Sequence, residues 1–178
     1  TEPGSGSDAA ALKTKAAITN EGYSLNGSKS FISGGGFSDL YVVLCRTGDQ
    51  TPNGISMVLV ENGQKGLSFG KKEKKMGWKA QPTAIVQFDN CSIPAANLVG
   101  EEGDGFKYAM EGLDGGRLNI AAASLGGAQK AYEIAKSYSK ERSAFGKPIS
   151  RFQSIEFKLA DMATQLEAAR LFLLSLIH

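Results

Sequence analysis

Histidine and cysteine are scarce in this 178-residue sequence, and their scarcity limits the chemistry open to it. The one histidine, His178, is the final residue, which excludes a histidine-based hydrolase site or a His-rich metal site within this chain. The two cysteines, Cys45 and Cys91, lie in apolar strand-like runs without metal-ligand spacing. That placement favours buried free thiols in a reducing compartment.

An excess of one charge is also missing: 20 lysines and arginines stand against 18 aspartates and glutamates, a net charge of +2. A chain without a polycationic face is not expected to bind nucleic acid. No run approaches the ~18 uninterrupted apolar residues of a membrane span, and Thr1-Glu2-Pro3 is not a signal peptide, so we expect no membrane association. Because the sequence lacks an initiator methionine and begins within a motif, we expect a fragment.

The first hundred residues have the pattern of short β-strands separated by Gly, Pro and Asn. Asn26-Gly27 is typical of a tight hairpin, and Glu21-Gly22 indicates another turn. Six or seven strands at this spacing favour an antiparallel barrel or sandwich. The predicted strands cover residues 11–19, 23–25, 28–33, 40–46, 55–61, 67–72 and 83–89.

After Pro94 the composition shifts to Ala, Leu, Glu and Lys, with no further proline before Pro148. We predict a short helix over residues 105–113 and long helices over residues 117–141 and 151–177.

Along the last predicted helix, apolar residues recur at alternating intervals of three and four, as in the seam of an antiparallel bundle or coiled coil. Two helices cannot bury all these faces on each other, so further helices or another subunit should cover them. The predicted fold class is α+β. It consists of an antiparallel β-barrel or sandwich domain over residues 1–100, followed by the long helices of an incomplete bundle over residues 101–178.

Two segments of the β region carry groups suited to ligand binding. The segment from Thr1 to Asp8 interleaves glycines with hydroxyls that can present donors to a ligand, although a plain loop has the same composition. The segment from Asn26 to Gly36 ends in three successive glycines. These indicate either close approach of the backbone to something flat or bulky, or a mobile loop.

Two further segments lie in the helical region. Arg117, following Asp114 and two glycines at the predicted start of a long helix, suits an anionic ligand near free helix amides. A structural explanation is equally good, with Asp114 as the N-cap paired to Arg117. Arg142 is favoured at a helix C-terminus in any case, and Ser150 with Gln153 fits a capping box.

Taken in order, these segments resemble the acyl-CoA dehydrogenase family, and within it the short- and branched-chain members. The resemblance runs along the full chain and rests on TEPGSGSD, NGSKSFISGGG, GLSFGKKEKKMGW, GDGF, DGGR and ERSAFGKPISRFQ followed by LADMA. It implies that residues 1–100 are a middle β domain and residues 101–178 the first helices of a C-terminal four-helix domain. It also implies FAD bound between the subunits of a homotetramer.

Position by position, the resemblance implies that Thr1 and the backbone after it hydrogen-bond the flavin ring, and that Ser7 contacts the acyl-CoA. Phe31, Ile32 and Ser33 resemble the strand segment against the isoalloxazine, where many relatives have Trp and Thr. The match to the CoA-binding stretch comprises Asp114, Gly115, Gly116 and Arg117. The residues that resemble those gripping the FAD diphosphate and adenosine of a neighbouring subunit are Arg142, Phe145 and Gln153.

The activity implied by the resemblance is α,β-dehydrogenation of a short branched acyl-CoA such as isobutyryl-CoA, with electrons passing to an electron-transfer flavoprotein. Branched-chain amino acid catabolism and fatty acid metabolism, in a mitochondrial matrix or bacterial cytoplasm, are the implied setting. Two alternatives remain: an acyl-CoA oxidase-like flavoenzyme, and a non-catalytic scaffold or assembly module of the same fold.

The family removes the substrate α-proton with a glutamate, and a minority of members place it immediately before the arginine that matches Arg117. Here that position is Gly116. The glutamates that match neither of the family's base positions are Glu111, Glu133, Glu141, Glu156 and Glu167. We therefore predict that this chain contains no catalytic residue and does not turn over substrate alone.

Overall fold

The computed structural model describes residues 1–177. The chain divides into two compact units, one over Thr1–Met110 and the other from Glu111 onward. His178, the lone histidine, lies outside the described residues.

The first unit is built on a six-stranded sheet. Its strands are β1 (Lys15–Thr19), β2 (Gly22–Ser33), β3 (Leu40–Arg46), β4 (Ile55–Glu61), β5 (Leu67–Phe69) and β6 (Thr83–Pro94). They lie in the order β4-β3-β1-β2-β6-β5, and all neighbours are antiparallel except β1 and β3, which are parallel. This sheet and the long helices after it confirm the predicted α+β class.

The core of the first unit lies on one face of this sheet. Alternate residues of β3 point inward, so Tyr41, Val43 and Cys45 are buried while Val42 is exposed. They form one apolar cluster with buried residues of β1, β2, β4 and β6. Both cysteines are buried and free, as predicted, and burial raises the pKa of the Cys45 thiol to about 12.

The predicted hairpin at Asn26-Gly27 is wrong. β2 runs straight through these residues, and its register with β6 slips by one between Leu25 and Gly27, a β-bulge. The Asn26 side chain accepts a hydrogen bond from the Asn90 amide at 2.8 Å across this bulge. Gly27 has φ +144° and passes so close to Thr14 that an added Cβ would lie 2.8 Å from the Thr14 Cα. The glycine therefore serves a close backbone approach.

The second long stretch of structure consists of two helices, α1 (Gly105–Glu141) and α2 (Gln153–Ile177). The predicted break between residues 113 and 117 is wrong, because α1 continues through Gly115 and Gly116. Glycine weakens a helix by about 1 kcal/mol per residue but does not end it while the backbone ladder can continue. Asp114 is therefore no N-cap, and the helix amides near Arg117 are not free.

A two-stranded hairpin, β7 (Ser143–Ala144) and β8 (Lys147–Pro148), connects the helices. The predicted capping box is also wrong, since Ser150 lies in a 3₁₀ turn and α2 begins only at Gln153. The Phe152 carbonyl accepts the amides of Ile155 and Glu156 as the helix starts.

Apolar side chains remain exposed along both helices, as the predicted seam requires. Examples are Ile134, Phe157, Leu171, Phe172 and Leu176, each more than half exposed. Within the described part of the chain, neither helix is long and apolar enough to cross a membrane.

Candidate functional site

The first predicted site segment is an ordered turn at the edge of β2. The Ser30 amide donates to the Thr1 carbonyl oxygen at 2.9 Å, which places Thr1 alongside this strand. Glu2 and Ser5 exchange two backbone hydrogen bonds of 2.7 and 3.2 Å around the Pro3-Gly4 turn. Ser7 follows in an exposed bend. The turn leaves Thr1 and Ser7 accessible while its backbone is fixed.

The strand segment beside Thr1 exposes an aromatic ring. The β2–β6 register slips again between Lys29 and Ile32, and within this second bulge Phe31 adopts φ +57°. Its ring is 67% exposed, whereas Ile32 is half-buried against the core. Ser33 is exposed and pairs with Thr83 at the end of the strand. Phe31 and Ser33 thus offer a flat apolar surface and a hydroxyl next to Thr1.

The three glycines after this strand form a fixed turn. The Tyr41 hydroxyl donates to the Gly34 carbonyl at 3.1 Å and accepts from the Gly36 amide at 3.0 Å. Gly34 and Gly36 have φ of +80° and +74°. A Cβ on Gly35 would meet the Ala84 Cβ at 3.1 Å. The fold itself therefore requires these glycines, without any ligand.

A buried ion pair underlies the site, and the sequence reading assigned it no role. The Lys29 ammonium donates to the Glu2 carboxylate at 2.7 Å, with side chains 10% and 6% exposed. Burial opposes ionisation of Glu2, but hydrogen bonds from Lys29 and from the Thr14 and Lys13 backbone outweigh it and lower its pKa to about 2. Burial lowers the pKa of Lys29, and Glu2 only partly offsets this.

One signal in the sequence could have found the pair. Tyr23 and Leu25 point into the core from β2, and an inward-facing charge further along the same strand needs a partner. The pair also lines a cavity of about 170 Å³, whose wall includes Thr1, Ser5 and Ile32. Polar and apolar groups thus meet directly beneath the exposed segment.

In the second unit, the CoA-binding candidates lie on the surface of α1. Arg117 and Asp114 form an i,i+3 ion pair of 3.0 Å, with both side chains 77% exposed. The predicted pairing is confirmed. Arg117 also stands at one end of an apolar groove of about 980 Å³ between α1 and α2, lined by residues such as Leu118 and Leu166. A cation beside an apolar groove suits an anionic ligand with an apolar tail.

The remaining candidates surround the β7–β8 hairpin. Phe145 and Gly146 form its two-residue turn, with φ of +53° and +77°. The Phe145 ring is 96% exposed and meets the Phe152 ring edge-on, with centroids 6.2 Å apart. Arg142 at the end of α1 and Gln153 at the start of α2 are both exposed. The hairpin thus gathers a cation, an amide and an aromatic ring on one surface.

Among residues 1–177, no group of three or more His, Cys, Asp or Glu side chains is placed to hold a metal ion. All five glutamates set aside as candidate bases are exposed. Glu133 accepts from Gln129 and Glu141 from Ser137, so both are ordinary surface groups.

Comparison with known proteins identifies both parts of the chain. The sequence profile of the acyl-CoA dehydrogenase middle domain matches residues 1–91, and that of the acyl-CoA dehydrogenase C-terminal domain matches residues 103–178. The mitochondrial isobutyryl-CoA dehydrogenase of Bos taurus is 57% identical over 173 residues, which are 97% of this chain and 42% of that protein. The chain therefore spans less than half the length of this relative.

Solved structures agree with the sequence comparison. Butyryl-CoA dehydrogenase from Megasphaera elsdenii superimposes with a TM-score of 0.93 at 47% identity, over 98% of this chain and 46% of that one. A chain from work on the electron transferring flavoprotein of Acidaminococcus fermentans and flavin-based electron bifurcation also gives a TM-score of 0.93. It is 49% identical, over 98% of this chain and 46% of its own length.

Proposed function

Because the chain belongs to the acyl-CoA dehydrogenase family, we propose that it supplies the flavin- and acyl-CoA-binding surfaces of an enzyme that dehydrogenates a short branched acyl-CoA. One observation carries the proposal. Thr1, Phe31 and Ser33 are held together at one end of the sheet, where an exposed aromatic ring stands beside hydroxyl and backbone groups.

The residues at this end of the sheet fit FAD. An isoalloxazine is flat and carries ring nitrogens and carbonyl oxygens, so it requires a flat apolar contact and hydrogen-bond donors. The exposed Phe31 ring supplies the first, and the hydroxyls of Thr1 and Ser33 supply donors. Ile32, anchored in the core between Phe31 and Ser33, fixes the spacing of the two groups.

In the second unit, the hairpin surface fits the other end of the same cofactor. The Arg142 guanidinium suits a diphosphate, and the Gln153 amide can donate and accept at once. The exposed Phe145 ring offers a stacking surface for an adenine. We propose that this surface binds the FAD of a neighbouring subunit in a homotetramer.

For the substrate, Ser7 offers a hydroxyl and Arg117 a cation to the CoA part of the thioester. Arg117 is only weakly committed to Asp114, because exposed ion pairs contribute about 0–1 kcal/mol. Bound FAD supplies the acceptor for a hydride from the acyl β-carbon. The chain's own groups hold the thioester in line with it.

The α-proton requires a base whose pKa is raised by burial. Every candidate glutamate in the described part of the chain is exposed, and residue 116 is glycine. We therefore propose that the base comes from residues beyond these, and that this chain alone does not turn over substrate.

Similarity to a mitochondrial isobutyryl-CoA dehydrogenase supports isobutyryl-CoA as the substrate and a mitochondrial matrix or bacterial cytoplasm as the location. The match to a chain from work on an electron transferring flavoprotein supports such a protein as the electron acceptor.

The test uses the full-length polypeptide that carries these residues. The purified protein should be yellow, and anaerobic isobutyryl-CoA should bleach its flavin absorbance more completely than octanoyl-CoA does. Bleaching should persist in the absence of oxygen and pass electrons to an electron-transfer flavoprotein. A colourless protein that does not take up added FAD would refute the proposal. Stoichiometric peroxide release in air would instead identify an oxidase.

A further inference from the structure

The ion pair between Glu2 and Lys29 is the most deeply enclosed charged group near the proposed flavin surface. Glu2 receives three donors: Lys29 Nζ at 2.7 Å, the Lys13 amide at 2.6 Å and the Thr14 amide at 3.0 Å. A carboxylate that accepts this many hydrogen bonds is held in one position.

Through these contacts a single carboxylate connects three separate segments of the chain. Its own backbone forms the turn next to Thr1. The amides of Lys13 and Thr14 belong to the stretch that leads into β1. Lys29 is the last paired residue of β2 before the bulge that exposes Phe31. Removing the pair therefore loosens both sides of the flavin surface, Thr1 on one and Phe31 on the other.

Stability alone is a weak reason for such a pair. Removing two charges from water is costly, and a well-packed apolar pair of similar volume often stabilises a fold as well or better. Space is also present, since the pair lines the cavity of about 170 Å³ beside Ile32. A charge pair kept where apolar groups would fit is better explained by the geometry that it imposes.

We propose that Glu2 and Lys29 are positioning residues for the flavin: the buried ion pair fixes the turn at Thr1 and the bulge at Phe31 in the spacing that the isoalloxazine requires. This inference rests on the proposed function. Neither side chain contacts the cofactor in this account, and both act through the segments they hold.

The test compares FAD binding and protein stability in the full-length polypeptide. Lys29→Met removes one partner, and Glu2→Gln/Lys29→Met removes both charges, so that no unpaired charge remains buried and the protein folds. Lys29→Arg keeps the charge, and the adjoining cavity gives the larger side chain room. Tyr23→Phe is the matched control, because it removes a hydrogen bond of 2.7 Å to Glu102 about eight residues along β2 from Phe31.

FAD is titrated into each apoprotein, with flavin fluorescence giving Kd, the visible spectrum of the bound flavin recorded, and the melting temperature of the apoprotein measured separately. We expect the double variant to melt near the wild type and yet bind FAD roughly tenfold or more weakly, because misplacement by about 1 Å is enough for such losses. Its bound flavin should show a shifted absorbance band. Lys29→Arg should restore most of the affinity, and Tyr23→Phe should change the melting temperature only.

Wild-type affinity and spectrum in the double variant would overturn the inference, and so would an equal loss of affinity in Tyr23→Phe. If Lys29→Met does not fold, the double variant still decides the question. A wild-type protein that binds no FAD would refute the proposed function itself and this inference with it, and it is distinguished by the first titration.

Discussion

Acid should remove stability from the first unit through one identifiable group, the Glu2 carboxylate. Its pKa in the folded protein is about 2, against an ordinary value of 4.5. Because the folded-state pKa is the lower one, the contribution is fully present above pH 4.5 and is lost as the pH falls towards 2. The difference corresponds to about 3 kcal/mol at neutral pH and to about half of that at pH 3.

The window belongs to Glu2 alone within the pair, since Lys29 remains protonated throughout it. The perturbation is Glu2→Gln, and the measurement is urea unfolding followed by circular dichroism at pH 7, 4 and 3. Subtracting the variant from the wild type cancels the titration of other carboxylates, such as Asp49, whose pKa is lowered by hydrogen bonds from Thr51. The difference in unfolding free energy should shrink as the pH falls. A difference that is equal at pH 7 and pH 3 would refute the assigned cause.

Three other outcomes follow from the contacts. Gly105→Ala should cost about 1–3 kcal/mol by overpacking, because its Cβ would lie 2.4 Å from the Ser56 carbonyl carbon; Gly112→Ala, with open space, should gain about 0.5–1 kcal/mol, and thermal melts that fail to separate the two would contradict this. Tyr41→Phe should cost roughly 1–2 kcal/mol and speed amide exchange at Gly36, measured by hydrogen exchange; unchanged exchange would argue against the hydroxyl clamp. Cys45 should resist alkylation at pH 8 until urea unfolds the protein, as mapped by mass spectrometry, because its buried thiol has a pKa of about 12; labelling of the native state would exclude that burial.

Local patterns predicted the strands best where burial alternates regularly. β3 and β4 have the predicted bounds, because their inward and outward residues alternate along a regular ladder. Asn26-Gly27 misled the prediction, since its hairpin preference is a local rule. The bulge that replaced the hairpin depends on Asn90, which lies 64 residues away in the sequence.

The candidate site shows the same division. Phe31 and Ser33 could be placed on a strand from the pattern, and the resemblance supplied their roles. The Glu2–Lys29 pair joins residues 27 apart through a strand whose facing is reset by bulges, so no short window contains it. Gly115 and Gly116 were mistaken for a helix boundary, because a lone sequence cannot show whether neighbouring turns carry a weak helical segment.

α1 contains Gly112, Gly115, Gly116, Gly126 and Gly127 in its interior, and for each of them an added Cβ would find open space. A segment this rich in glycine has little tendency to coil by itself, because nucleation is already unfavourable in isolated peptides. On the ribosome it should therefore emerge as an uncoiled tether and acquire its rod shape only when companion helices arrive. Premature termination downstream of it would then yield a product that quality-control proteases recognise by that tether.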